Sequence, residues 1–234
     1  EGSHPGWPAG TLGSEDAMKI HILLGAPGSG KGTQAKRLVQ KRSLIHLSTG
    51  DILRDAVSKG TEIGLRAKAL MASGKLVDDD TVNGLVFARL QNESGDVLFD
   101  GYPRTLQQAE SLETFLSSQG IGLGFVIDIF VPETVLEARV VDRMVCSNND
   151  CGAIYHLVTK RPHQENVCDL CHSPLKHRAD DCSEAFRSRM VEFNKTFQPL
   201  QAYYKERPNY RTVDGNLAPD AIHATILELF QEQA

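Results

Sequence analysis

Apolar residues along this chain follow two rhythms. Three short continuous runs, "KIHILLG" at 19–25, "VLFDGYPR" at 97–104 and "LGFVIDIFVP" at 123–132, are too short for helices and predict buried strands. Pro132 stops the third. "YRTVDGN" at 210–216 predicts a short late strand with a turn. Between them lie helical patterns at 31–42, 51–58, 61–73, 79–92, 105–119, 133–144, 182–206 and 218–232. In the one starting at 182, Phe186, Met190, Phe193, Phe197 and Tyr204 recur near the 3.6-residue period. Strands alternating with helices predict an α/β fold, a parallel sheet covered on both faces. The stretch 146–177 breaks the rhythm with many turn residues and no long helix, so it reads as an insertion into that core.

Composition narrows the classes. The 234 residues suit one domain with insertions, 41% apolar and 24% charged. A net charge of −5 gives no global basic field for nucleic acid. No apolar run approaches bilayer length, so no membrane span is expected. Residues 1–17, "EGSHPGWPAGTLGSEDA", have neither a basic start nor an apolar centre and read as an expression remnant or disordered leader before Met18. The domain is then 18–234. Five cysteines, four of them in two close pairs, suggest a metal site in a reducing compartment, not a disulfide framework.

"LLGAPGSGKGT" at 23–33 is the most specific chemical signal. Glycines 25, 28, 30 and 32 let backbone N–H groups turn inward around phosphate oxygens, Lys31 adds a positive charge, and the following helix points its N-terminus at the same anion. Gly28, Ser29, Gly30, Lys31, Gly32 and Thr33 are thus candidate phosphate binders. Against the general G-x-x-x-x-G-K-[ST] pattern, Gly32 takes the hydroxyl position and Thr33 follows it.

Further along stand "LSTGDILR" (47–54), "GKLVDDD" (74–80), "DGYPRTLQQAE" (100–110), "ARVVDR" (138–143), "HRADD" (177–181) and "FRSRM" (186–190). In this order and spacing they resemble the nucleoside monophosphate kinases, and among these the adenylate kinase family in its long, metal-binding-lid form, over residues 18–232. The resemblance implies a P-loop kinase fold with a five-stranded parallel sheet, an AMP-binding insertion near 47–77 and a lid near 140–179. It implies reversible phosphoryl transfer from MgATP to AMP giving two ADP, in a cytoplasmic monomer.

The arginines support a kinase independently. Arg54, Arg104, Arg139, Arg143, Arg178 and Arg189 lie in or beside these motifs. Each offers a planar fork for phosphate, and together they would offset the charge of about four phosphates in a transfer complex. The resemblance assigns Arg54 and Arg104 to the AMP phosphate. It assigns Arg139, Arg143, Arg178 and Arg189 to the ATP phosphates and the transferred group, with Arg139 also along the donor adenine. Thr49, Leu76, Val77, Gly101 and Gln108 resemble the AMP site. Tyr155, His156 and Leu217 fall on the ATP side. Gln108 also makes chemical sense, since a carboxamide gives and takes one hydrogen bond along an adenine edge. Asp100 resembles the residue that holds Mg2+ through water, with Asp51 and Thr33. No general base is needed, because an AMP phosphate oxygen is already anionic. Alignment, charge neutralisation and exclusion of water suffice.

Cys146, Cys151, Cys168 and Cys171 form C-x4-C-x16-C-x2-C. Pairs at such spacings suit tetrahedral Zn2+, and four thiolates leave no open position, so the metal would be structural. The first spacing is wider than the x2 form the resemblance leads one to expect. "SNND" could bulge out, or His163, His172 or Asp169 could replace one ligand. Cys182 reads as a packing cysteine. Two rival readings remain: a kinase for another acceptor such as UMP or CMP, or for another donor, and a zinc-dependent nucleic-acid binder that hydrolyses ATP.

Overall fold

The computed structural model describes residues 18–231, so the expected leader at 1–17 and residues 232–234 lie outside the described residues. The chain runs β1 (Lys19–Leu24), α1 (Lys31–Arg42), β2 (Ile45–Ser48), α2 (Thr49–Ser58), α3 (Glu62–Ala72), α4 (Asp79–Leu90), β3 (Val97–Asp100), α5 (Leu106–Gln119), β4 (Gly122–Phe130) and α6 (Glu133–Val141). Then follow β5 (Arg143–Cys146), β6 (Ile154–His156), β7 (Leu175–Lys176), α7 (Ser183–Lys205), β8 (Tyr210–Asp214) and α8 (Pro219–Gln231).

Five strands form one parallel sheet in the order β2-β3-β1-β4-β8. Its three central strands, β3, β1 and β4, are buried on both faces, which is why they read as continuous apolar runs. Ile20, Ile22 and Leu24 join one core cluster with residues of α4, α5 and α7, while Leu23 joins another with α1 and α8. After β1 the chain moves to one side of that strand, and after β3 to the other. Crevices at such switch points, beyond the carboxyl ends of the strands, are where open α/β sheets bind ligands.

Two sequence expectations needed revision. The strand Ile45–Ser48 gave no separate signal, because "IHLS" is only four residues long with a histidine inside it. The helix expected over 133–144 ends at Val141, and Arg143–Cys146 is already a strand. There the chain leaves the core to build a separate antiparallel sheet, β6-β5-β7, whose pairing partners lie downstream of Cys146. The insertion expected over 146–177 is this small sheet with its cysteine loops. In α7 the expected stripe is present. Phe186, Met190 and Tyr204 are buried, while Phe193 and Phe197 are half-buried and stack on each other at 4.4 Å.

Candidate functional site

β1 ends at Leu24 and α1 begins at Lys31, leaving the glycine-rich loop between them. Gly25 sits at φ +138°, and a Cβ there would stand 2.5 Å from the Ile129 carbonyl oxygen. The loop therefore cannot carry a side chain at that point. The Lys31 ammonium donates to the carbonyls of Gly25 at 2.6 Å and Ala26 at 2.8 Å, which fixes it at the mouth of the loop. Burial lowers its pKa to about 8, against the opposing pull of the Asp100 carboxylate.

Asp100 ends β3 beside this loop. Burial would raise its pKa, but His46 and Lys31 outweigh that and hold the carboxyl below the usual range. Gly32 explains the departure from the general loop pattern. A Cβ at Gly32 would lie 3.2 Å from Asp100 Oδ2, so the missing side chain leaves room for the carboxylate.

The loop opens into a cavity of about 540 Å³ lined by Gly28–Thr33, Asp51, Arg54, Leu76, Asp100, Gly101, Arg104, Arg139, Arg143, Tyr155, His156, Arg178, Arg189 and Leu217. A smaller cavity of about 70 Å³ adjoins it, lined among others by Thr49, Leu76, Val77 and Gln108. Arg54, Leu76, Gly101, Arg104 and Arg189 border both. Every nucleotide-site candidate named from the sequence thus lies at one or both cavities, although they come from loops far apart along the chain.

Five of the six arginines are held by named partners. Arg143 forks onto buried Asp181, Arg189 pairs with Asp180 at 3.0 Å, and Arg54 with Asp51 at 2.6 Å. Arg104 donates to the Gly101 carbonyl at 2.8 Å, and Arg139 to that of Gly215 at 2.9 Å. Burial, then the crowding of like charges, lowers Arg104 and Arg178 to about 10 each. A desolvated cationic wall of this kind favours a polyanion between its members. The sequence reading assigned no roles to His46, Asp79, Asp180 or Asp181. Asp180 and Asp181 stood inside the quoted "HRADD", and the excess of nearby arginines was the signal for their counter-charges.

Tyr155 borders the large cavity, yet its ring is buried in the small sheet's core. Its hydroxyl lies 3.6 Å from Cys168 Sγ and accepts from the Asp169 N–H at 2.8 Å. His156, next in β6, brings Nε2 to 3.2 Å from the Ala138 carbonyl.

The four cysteines converge. Their sulfurs all lie within 4.8 Å of one another, with Cys146–Cys171 at 3.3 Å and Cys151–Cys168 at 3.7 Å. A tetrahedral tetrathiolate with Zn–S bonds of about 2.3 Å needs sulfurs about 3.8 Å apart, so this set fits Zn2+. The proposed substitutes do not join it: His163 pairs with Asp169 at 3.3 Å instead. The wide first spacing is taken up by a turn, closed by Gly152 N–H to Asn148 O at 2.9 Å and Asp150 N–H to Asn148 Oδ1 at 3.1 Å.

The sequence model of the family described as adenylate kinase matches residues 23–209. The chain is 45% identical over 215 residues to an adenylate kinase of Zymomonas mobilis subsp. mobilis, covering 91% of this chain and 96% of that one. It is 46% identical over 208 residues to that of Rhizobium rhizogenes, covering 88% and 95%. With that of Methanosarcina acetivorans it shares 44% over 204 residues, covering 86% and 93%. A glycine loop closed by a lysine, a wall of held arginines between two cavities, and relatives matched almost end to end converge on one assignment: the chain belongs to the adenylate kinase family.

Proposed function

We propose that the larger cavity takes MgATP and the smaller one the base of AMP, with the phosphoryl group crossing at the wall the two share. The reaction itself, reversible transfer from MgATP to AMP giving two ADP, is that of the family. The observation that carries the division of sites is the shared border of Arg54, Arg104 and Arg189 between two cavities of unequal size.

In this reading the loop N–H groups and Lys31 hold the donor β- and γ-phosphates. Arg54 and Arg104 hold the acceptor phosphate. Arg139, Arg143, Arg178 and Arg189 offset the charge spread over the transferred group. Asp100, with Thr33 and Asp51, would hold Mg2+ through water, and the ion would supply charge neutralisation on the donor phosphates. Leu217 lines the donor base, and Thr49, Leu76, Val77, Gly101 and Gln108 the acceptor nucleotide. No side chain has to remove a proton from the attacking oxygen. The chain's work is alignment and keeping water out.

Cys146, Cys151, Cys168 and Cys171 would hold structural Zn2+ in the segment that forms the lid. The buried cluster there contains only Met144, Ala153, Tyr155 and Leu175 beside Cys146 and Cys168, too little apolar surface to fix a fold. Among the described residues no helix is long and apolar enough to cross a membrane. A monomer working in the cytoplasm, without nucleic-acid or membrane partners, accords with the acidic charge and the free thiols. The reading is tested by assaying ATP with each nucleoside monophosphate. AMP should be the strongly preferred acceptor, and equal rates with CMP or UMP would overturn it.

A further inference from the structure

We propose that Asp79 is a positioning residue for acceptor specificity. It fixes which way round the Gln108 amide faces, so that the smaller cavity accepts a 6-amino purine and rejects a 6-oxo purine. The inference rests on the reading of that cavity as the acceptor base site.

Gln108 is buried and makes two side-chain hydrogen bonds. Its Nε2 donates to Asp79 Oδ1 at 2.8 Å, and its Oε1 accepts from the Arg104 backbone N–H at 2.7 Å. An ionised carboxylate can only accept and a backbone N–H can only donate. One orientation of the amide satisfies both partners. Turned over, it would set two donors face to face at Arg104 and two acceptors face to face at Asp79. One N–H and one oxygen lone pair then remain for a ligand. A 6-amino purine offers an amino donor beside a ring-nitrogen acceptor and matches them. A 6-oxo purine puts its carbonyl oxygen against Oε1, acceptor on acceptor, and sites with buried polar groups reject such partners strongly.

Asp79 is itself pinned. Its Oδ2 accepts from the Thr105 hydroxyl at 2.7 Å, and Thr105 caps α5 by accepting the Gln108 N–H at 3.1 Å. Asp79, Thr105 and Gln108 therefore close a ring in which neither the carboxylate nor the amide turns freely. Simpler duties in the "DDD" run fall to its neighbours. Asp78 caps α4, accepting the Thr81 N–H at 2.9 Å, and Asp80 is exposed.

The test is kcat/KM for AMP and for inosine monophosphate at saturating MgATP. Asp79→Ala should lower the AMP-to-IMP ratio by roughly tenfold or more, mainly through KM for AMP, with KM for MgATP unchanged. Asp79→Asn, which keeps an acceptor for Gln108, should retain most of the ratio. If Asp79→Ala does not fold, Asp79→Ser serves instead, because its short hydroxyl cannot reach the amide. Gln108→Ala is the control. If it keeps the wild-type ratio, the acceptor-site reading is wrong and the proposal falls with it. If Gln108→Ala loses the ratio while Asp79→Ala keeps it, the reading stands and the role of Asp79 is overturned. Equal loss of activity on both acceptors in Asp79→Ala also overturns it, leaving Asp79 a purely structural residue.

Discussion

Arg143 and Asp181 form a two-bond fork in which the aspartate side chain is wholly buried and the arginine side chain is 15% exposed. They join the first residue of the lid sheet to the segment that leads out of it. Burial works to lower the pKa of Arg143, but Asp181 overrides that and raises it, so the guanidinium stays charged. Truncating one member of such a pair strands the other. Asp181→Ala should therefore destabilise the protein by about 3 kcal/mol and lower kcat, because Arg143 loses its aim. Urea unfolding would show the first and steady-state rates the second. A change below about 0.5 kcal/mol would mean that solvent, not Asp181, holds this arginine.

Gly32 gives a second expectation. With only 3.2 Å between a Cβ there and Asp100, Gly32→Ser must push the carboxylate aside or shift the start of α1. The expected result is a fall in kcat of roughly tenfold, a weaker apparent affinity for Mg2+ in the rate assay, and little change in melting temperature. Wild-type Mg2+ dependence in this variant would remove Asp100 from the ion's surroundings.

Lys31 carries the pH dependence. Its pKa is lowered to about 8, so above that pH the free enzyme's ammonium is largely neutral. Donor phosphates restore the charge, and binding must take up a proton. Calorimetry of MgATP binding at pH 8.5, in two buffers of different ionisation enthalpy, should show uptake of more than about half a proton. At pH 6.5 the lysine contribution should vanish. Lys31→Ala should abolish the uptake and cut kcat by far more than tenfold. Uptake that persists in the variant would assign the proton elsewhere.

Much of this was legible in the chain. The strands with their turns, the phosphate loop and the four cysteines are local patterns, and local patterns survive in sequence. What was not legible depends on contacts across the fold. Ile45–Ser48 becomes a strand because it pairs with Val97–Asp100. Arg143 becomes the first residue of a strand because Met144 and Val145 pair with Tyr155 and Ile154. Asp79, 29 residues from Gln108, meets it only after α4 and α5 pack. Several apolar residues of the lid segment also point outward. Val158 is 65% exposed and Leu170 75%, which shifts the task of holding this segment to the cysteines.

That shift predicts a structural metal. Mass spectrometry should find about one zinc per chain. Structural zinc brings an apparent free energy of about 10 kcal/mol or more, coupled to folding. Chelation, or Cys168→Ser, should lower the melting temperature and expose residues 146–177 to protease. Well below that temperature substantial kcat should remain, since Lys31, Asp100 and the arginines lie outside the cluster. Loss of all activity in protein still folded by circular dichroism would show that the geometry fixed by the metal is needed for the chemistry.

The division of the arginines between two sites is tested most directly by titrating AMP into Arg104→Ala and Arg178→Ala. Arg104 borders both cavities, whereas Arg178 borders only the larger. Arg104→Ala should weaken AMP binding by roughly tenfold or more, about 1.4 kcal/mol. Arg178→Ala should leave AMP affinity within about threefold of wild type while still cutting kcat. Two variants with the same loss of AMP affinity would contradict the separation of donor and acceptor sites.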